Sequence, residues 1–159
     1  MENELLDILT GKIVIVGIGN PLRGDDGAGP ALIRELKNRI PESPAEITLI
    51  DAGEVPENYL VRISEKKPDI VLLIDSADMK QPPGSVKILE TEEIQETGLS
   101  THNASLKMCI DFLKSETDAR IFLLGIQPEH INLGENLSEI VLLKIRLLAD
   151  LLIRSLNHA

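Results

Sequence analysis

Two adjacent carboxylates, Asp25 and Asp26, stand in a glycine-rich turn between an apolar run, Ile13-Val14-Ile15-Val16-Gly17-Ile18, and a helix-forming stretch. Two further apolar runs end at Asp51 and at Asp75, and Thr101-His102-Asn103 opens another helical stretch. In an open α/β sheet, ligands and chemistry collect just outside the carboxyl ends of the strands, so these groups are expected to converge. A helix N-terminus stabilises carboxylates and disfavours imidazolium, leaving His102 neutral with a lone pair to offer. Two carboxylates and a neutral imidazole with open positions suit a divalent transition metal better than calcium or magnesium.

Plainer roles compete for the same residues. An Asp after a strand is commonly a helix cap or turn former, and Asp25 is assigned that role, with Asp26 pointing inward. Asp75 resists such a reading because it ends a fully apolar run, where an unpaired charge is costly. Asp78 reads as a solvated loop residue, and His102 serves equally well as a cap for its own helix. His130 and His158, in a loop and at the tail, read as solvated.

The elements that must position these groups alternate along the chain. A short helical lead-in over 4–9 stops at Gly11, and Lys12–Ile18 reads as a buried strand. A helix from about Gly27 to Ile40 is halted by Pro41 and Pro44. The spacing predicts strands at Glu46–Ile50, Ile70–Ile74, Gly84–Leu89 and Arg120–Ile126. Helices are expected over Val55–Ser64, Asn103–Lys114 and Leu137–Leu156, with Pro56 in a first turn. The polar, acidic segment from Glu90 to Thr101 has no clear assignment. Near-continuous apolar strands alternating with helices imply an α/β fold, a three-layer α/β/α sandwich on a mostly parallel, mixed sheet of about five strands. The 84–89 strand follows its predecessor too closely for a helical crossover, which makes it antiparallel or an edge.

Length and composition set outer bounds. A chain of 159 residues fits a single domain, 1–159, with a self-sufficient core. Aromatics are 2% of residues, so the core must be built from Leu, Ile, Val and Ala. A formal charge of −10 and the scarcity of rings for base stacking exclude a nucleic-acid partner. No uncharged apolar run is long enough to span a bilayer, and Glu2, Glu4 and Asp7 replace the basic start of a secretory signal. No membrane association and a cytoplasmic location are expected. The single Cys109 excludes an intrachain disulfide and reads as core beside Leu106, Ile110 and Leu113. No exposed apolar helix face is evident in the sequence, so a monomer is expected.

Two motif readings fail on particular residues. Gly17-x-Gly19-x-x-Leu22 resembles a dinucleotide fingerprint, but Leu22 stands where the third glycine is needed, Pro21 stiffens the turn, and Asp25-Asp26 would repel the phosphates. Gly17-Ile18-Gly19-Asn20-Pro21 is also similar to the opening of peptidyl-tRNA hydrolases, which need a histidine soon afterwards; here the next is His102.

A third pattern is specific. Gly17-Ile18-Gly19-Asn20, Gly24-Asp25-Asp26-Gly27-Ala28-Gly29-Pro30, Asp51-Ala52-Gly53, Leu73-Ile74-Asp75-Ser76-Ala77-Asp78, Pro83-Gly84, Thr101-His102-Asn103 and Leu124-Gly125-Ile126-Gln127-Pro128 together resemble the hydrogenase maturation endopeptidases. The markers run in family order from about residue 12 to 130. The Gly-Asp-Asp-Gly turn, Val55-Pro56-Glu57-Asn58 and Thr-His-Asn resemble the branch acting on hydrogenase 3, the formate hydrogenlyase type.

The resemblance implies an endopeptidase that removes a C-terminal extension from the precursor of a nickel-iron hydrogenase large subunit once nickel is in place. It implies a nickel-binding triad of Asp26, Asp75 and His102, with the nickel carried by the precursor and bound weakly or not at all by the isolated enzyme. It also implies a role for Asp51 in substrate recognition, although Ala52 replaces a glycine of the usual Asp-Gly-Gly turn. Three mechanisms remain open: nickel as a recognition handle, nickel as an activator of carbonyl or water, and Asp26 with Asp75 as an acid–base pair. We favour the first, with Asp75 or Asp26 assisting water. A His-Glu-x-x-His helix is absent, which excludes a standard zinc protease. The alternative from another class is a non-catalytic metal-binding chaperone or nickel-delivery module built on the same ligands.

Overall fold

The computed structural model describes residues 1–40, 44, 46–97, 100–101 and 106–157. Its spine is strand β1 (Ile13–Ile18), an unbroken run of buried residues. β1 pairs in parallel with β2 (Ile47–Gly53) on one side and β3 (Ile70–Asp78) on the other. Further out come β4 (Val86–Glu90), the two-residue β5 (Ser100–Thr101) and β6 (Arg120–Ile126). The strand order is β2-β1-β3-β6-β4, with β6 parallel to β3 and β4 antiparallel to β6; β5 pairs antiparallel with the end of β3. The mixed sheet of five main strands and the antiparallel edge strand agree with the sequence reading.

Alternation along the strands divides the core in two. Ile13, Ile15, Ile70, Leu72, Ile74, Phe122, Leu124 and Ile126 face one side, under helices α1 (Glu2–Ile8), α2 (Ala28–Arg39) and α6 (Glu139–Leu156). Val14, Val16, Val71, Leu73, Ile121 and Leu123 face the other, under α3 (Leu60–Glu65) and α5 (Leu106–Glu116), where Cys109 is buried as expected. Each fully buried aliphatic side chain contributes about 1.5–3 kcal/mol, and a sheet covered on both faces needs such residues at every position. From β1 the chain passes through α2 to β2, then through α3 back to β3 on the far side of β1. The two crossing helices lie on opposite faces, so a crevice opens where the carboxyl ends of β1 and β3 part.

Several boundaries differ from the sequence expectation. β2 runs past Asp51 to Gly53, and β3 runs past Asp75 to Asp78, so both acids lie inside strands. Asp75 pairs with Gly125, and Ala77 with Thr101. Partner strands extend the ladders beyond the apolar runs, which hydrophobicity alone does not register. The segment left unassigned holds a helix, α4 (Thr91–Thr97), before β5. The 55–64 helix divides into a 3-10 turn at Pro56–Tyr59 and α3. His102, Asn103 and His158 lie outside the described residues. α6 also presents an exposed apolar stripe, Ile140, Leu143 and Leu147, which removes the ground on which a monomer was expected.

Candidate active site at the β1–β3 crevice

Asp26 is carried by a single 3-10 turn, Gly24–Gly27, between β1 and α2. Its Oδ2 accepts from the backbone N–H of Asn20 at 2.9 Å, and Oδ1 accepts from the Ser76 hydroxyl at 3.4 Å. The turn can close this far only because Gly19 adopts φ +138° and has no Cβ, which would otherwise meet the carbonyl of Asp26. Gly29 lets the first turn of α2 settle onto the sheet: a Cβ there would lie 2.5 Å from the carbonyl oxygen of Ile74. Asp26 is half-buried and borders the crevice.

Asp75 is 2% exposed, and its Oδ2 is buried without a hydrogen-bond partner among the described residues. Burial, and after it the neighbouring Asp26 charge, holds its pKa well above the ordinary carboxylate value. A hydrogen bond from the Ser76 backbone opposes the shift without cancelling it. The two acids therefore form an asymmetric pair. Asp26 accepts from two donors at the mouth, while Asp75 is buried behind it with one oxygen that has no hydrogen-bond partner among the described residues. Such a pair can hold one proton while its other member accepts one, and a carboxylate oxygen of the pair can ligate a cation.

The remaining candidates are placed differently. Asp51 is exposed, and its Oδ1 accepts from Gly53 N–H at 3.2 Å. It lies in β2 opposite Gly17, with β1 between it and β3, so about 10 Å of sheet separates it from Asp75. It is a rim residue and does not join the pair. The described chain reaches Thr101, paired with Ala77 two residues beyond Asp75, immediately before His102 in sequence. Among the described residues no three His, Cys, Asp or Glu side chains gather as a metal site, and both carboxylates of the expected triad are among them.

Asp25 lies in the turn, as expected, but its side chain does not cap that turn or α2. It is fully buried, and its carboxylate accepts from Glu129 N–H at 2.8 Å, His130 N–H at 3.4 Å, Ser138 N–H at 2.7 Å and Ser138 Oγ at 2.8 Å. Its own N–H donates to His130 O, and Gly24 N–H donates to Glu135 O. Asp25 thus bolts the acid turn to the loop leading into α6. Those partners lie more than a hundred residues away, so nothing in the local sequence announces them.

Gln127 is a second brace between distant segments. Its Oε1 accepts from Met79 N–H at 2.7 Å and Gln81 N–H at 3.3 Å, holding the chain that leaves β3. Asp78 closes β3 rather than floating in a loop; hydrogen bonds from Lys80, side chain first, hold its pKa down to about 2. His130 is only partly exposed and faces Glu135, with 2.8 Å between Nδ1 and Oε2.

Comparison with known proteins gives this arrangement a family. The HycI hydrogenase maturation protease model matches residues 30–155. The hydrogenase 3 maturation protease of Escherichia coli is 40% identical over 117 residues, covering 73% of this chain and 72% of that protein. The crystal structure of the NiFe hydrogenase maturation protease HycI from Thermococcus kodakarensis superposes with a TM-score of 0.88 at 31% identity, over 97% of this chain and 99% of that one. A crystal structure of the hydrogenase 3 maturation protease gives 0.74 at 32% identity, over 89% and 88%. With the acid pair at the crevice and these matches spanning most of its length, the chain belongs to the hydrogenase maturation protease family.

Proposed function

We propose that this protein is the endopeptidase that removes the C-terminal extension of a nickel-loaded nickel-iron hydrogenase large-subunit precursor. The observation that carries the proposal is the asymmetric pair: buried Asp75, with one oxygen lacking a partner among the described residues, and Asp26 held at the crevice mouth. Nickel enters as cargo of the substrate. Asp26, Asp75 and His102 are the residues that would grip it, and the buried, unpartnered Oδ2 of Asp75 fits a ligand role.

Gripping the cargo fixes the precursor tail in the crevice, so binding energy is spent on positioning the scissile bond. One carboxylate, Asp75 or Asp26, takes a proton from the attacking water and passes that proton to the leaving amine as the C–N bond breaks. Nickel therefore acts as the check on substrate readiness, and Asp51 on the rim contacts the incoming chain. A cytoplasmic location belongs to the same proposal.

Intact-mass analysis of a nickel-loaded precursor incubated with the protein tests it. A defined C-terminal peptide should be lost with the wild type, retained with Asp75→Asn or His102→Ala, and retained when the precursor lacks nickel. An unchanged mass with the wild-type protein would instead favour a metal-binding chaperone that reads nickel without cutting.

A further inference from the structure

A groove of about 1230 Å³ lies between the edge strand β4 and helix α6, outside the acid crevice. It opens at Asp78 and Met79, on the end of the strand that carries Asp75, and runs along α6 as far as Arg154. One stripe of α6, Val141, Ile145, Leu148 and Leu152, is buried in the core. A second stripe, Ile140, Leu143 and Leu147, is 39%, 54% and 47% exposed, and Leu147 lines the groove. A helix apolar on two faces has one face still to be covered. β4 ends the strand order, so its outer backbone edge is open to an added strand among the described residues.

The charges along this groove run against those of the molecule. Of its charged lining groups, Asp78 pairs with Lys80, Asp150 with Arg39, and Arg154 with Glu2. Lys87 and Lys144 have no side-chain partner among the described residues. A chain of net charge −10 thus presents two unneutralised lysines beside an apolar stripe and an open strand edge. That combination suits an extended peptide with acidic and apolar side chains, held by backbone pairing and by charge within a Debye length. Lys87 pairs with Gly125, which pairs with Asp75. Two strand spacings, about 10 Å, separate Lys87 from the catalytic acid, and about three extended residues span that distance. A second copy of this chain fits less well, because a two-fold interface through this groove would set the same lysines against each other.

Resting on the endopeptidase reading above, we propose that the β4–α6 groove is the docking surface for an extended, acidic segment of the large-subunit precursor next to its cleavage site. The test is steady-state cleavage of nickel-loaded precursor by the full chain, by Lys87→Glu combined with Lys144→Glu, and by Leu147→Asp. Both variants should raise KM by about tenfold or more while kcat stays within about twofold. Wild-type KM should rise with ionic strength and lose that dependence in the double variant, whereas Lys87→Arg with Lys144→Arg should behave as wild type. An unchanged KM in folded, charge-reversed protein overturns the proposal. So does sedimentation showing a wild-type dimer that these substitutions dissolve, since the groove would then belong to a second copy. If the wild type cleaves no precursor, the endopeptidase reading fails by itself. Fluorescence anisotropy of labelled precursor then decides the groove separately: binding weakened about tenfold by the charge reversal supports it, and equal binding removes it.

Discussion

Asp25 and Asp26 are neighbours of one residue type with unlike work, and the difference lies in what their oxygens receive. Asp25 is filled by four donors and is structural, whereas Asp26 faces Asp75. Asp25→Asn would turn an amide N–H₂ toward those donors and should destabilise the fold by about 3 kcal/mol, read as a lower denaturant midpoint. Asp75→Asn should do the opposite for stability while abolishing cleavage. Because the folded-state pKa of Asp75 is raised, the native protein holds this proton more tightly than the unfolded chain does. Its contribution to stability is thus complete below the unfolded carboxylate pKa and is lost as pH rises through the folded value. Thermal melts across this window should show the wild type losing stability relative to Asp75→Asn, with the variant melting higher by a few degrees at neutral pH. Parallel pH profiles for the two proteins would refute the buried-acid assignment.

At the scale of elements, the crevice depends on close approaches of backbone. Gly29 lies in the first turn of α2, where alanine would ordinarily help a helix by up to about 1 kcal/mol. Here the added methyl meets the Ile74 carbonyl and must push the helix off the sheet, and overpacking of that kind costs about 1–3 kcal/mol. The clash outweighs the propensity, so Gly29→Ala should be destabilised in urea melts and should lower kcat by shifting Asp26 relative to Asp75. Gln127 acts instead through hydrogen bonds, on the chain that leaves β3. Gln127→Leu keeps most of the volume but strands the Met79 and Gln81 N–H groups, so hydrogen exchange at 79–81 should quicken while exchange in β1 stays slow.

Across the whole molecule, a sheet buried on both faces supplies a rigid platform and leaves function to one end of it. Leu72, in the central strand and fully buried, is a measure of that platform. Leu72→Ala should cost about 2–5 kcal/mol in chemical denaturation while leaving specific activity intact below its melting temperature, because Leu72 belongs to the apolar cluster under α1, α2 and α6. The exposed stripe of α6 belongs to this scale too, since it becomes meaningful only beside the β4 edge and the two lysines.

Much of the architecture was legible in the chain by itself. Near-continuous apolar runs at 13–18, 70–74 and 121–126 read as buried strands of a sheet covered on both faces, and the short connection before 84–89 implied a strand that is antiparallel or at an edge. Those periodicities are local, as are the glycine turn and its two acids, so they survive in one dimension. The pairing of Asp26 with Asp75 was also foreseeable, because strand order at a switch point brings carboxyl ends together. Tertiary structure alone decided the rest. Asp25 finds its donors more than a hundred residues away, Asp75 lies within a strand because β6 and β5 extend the ladder, and Asp51 is held off by the width of β1. Each depends on burial and hydrogen bonding between segments distant along the chain, for which residue type carries no local signature.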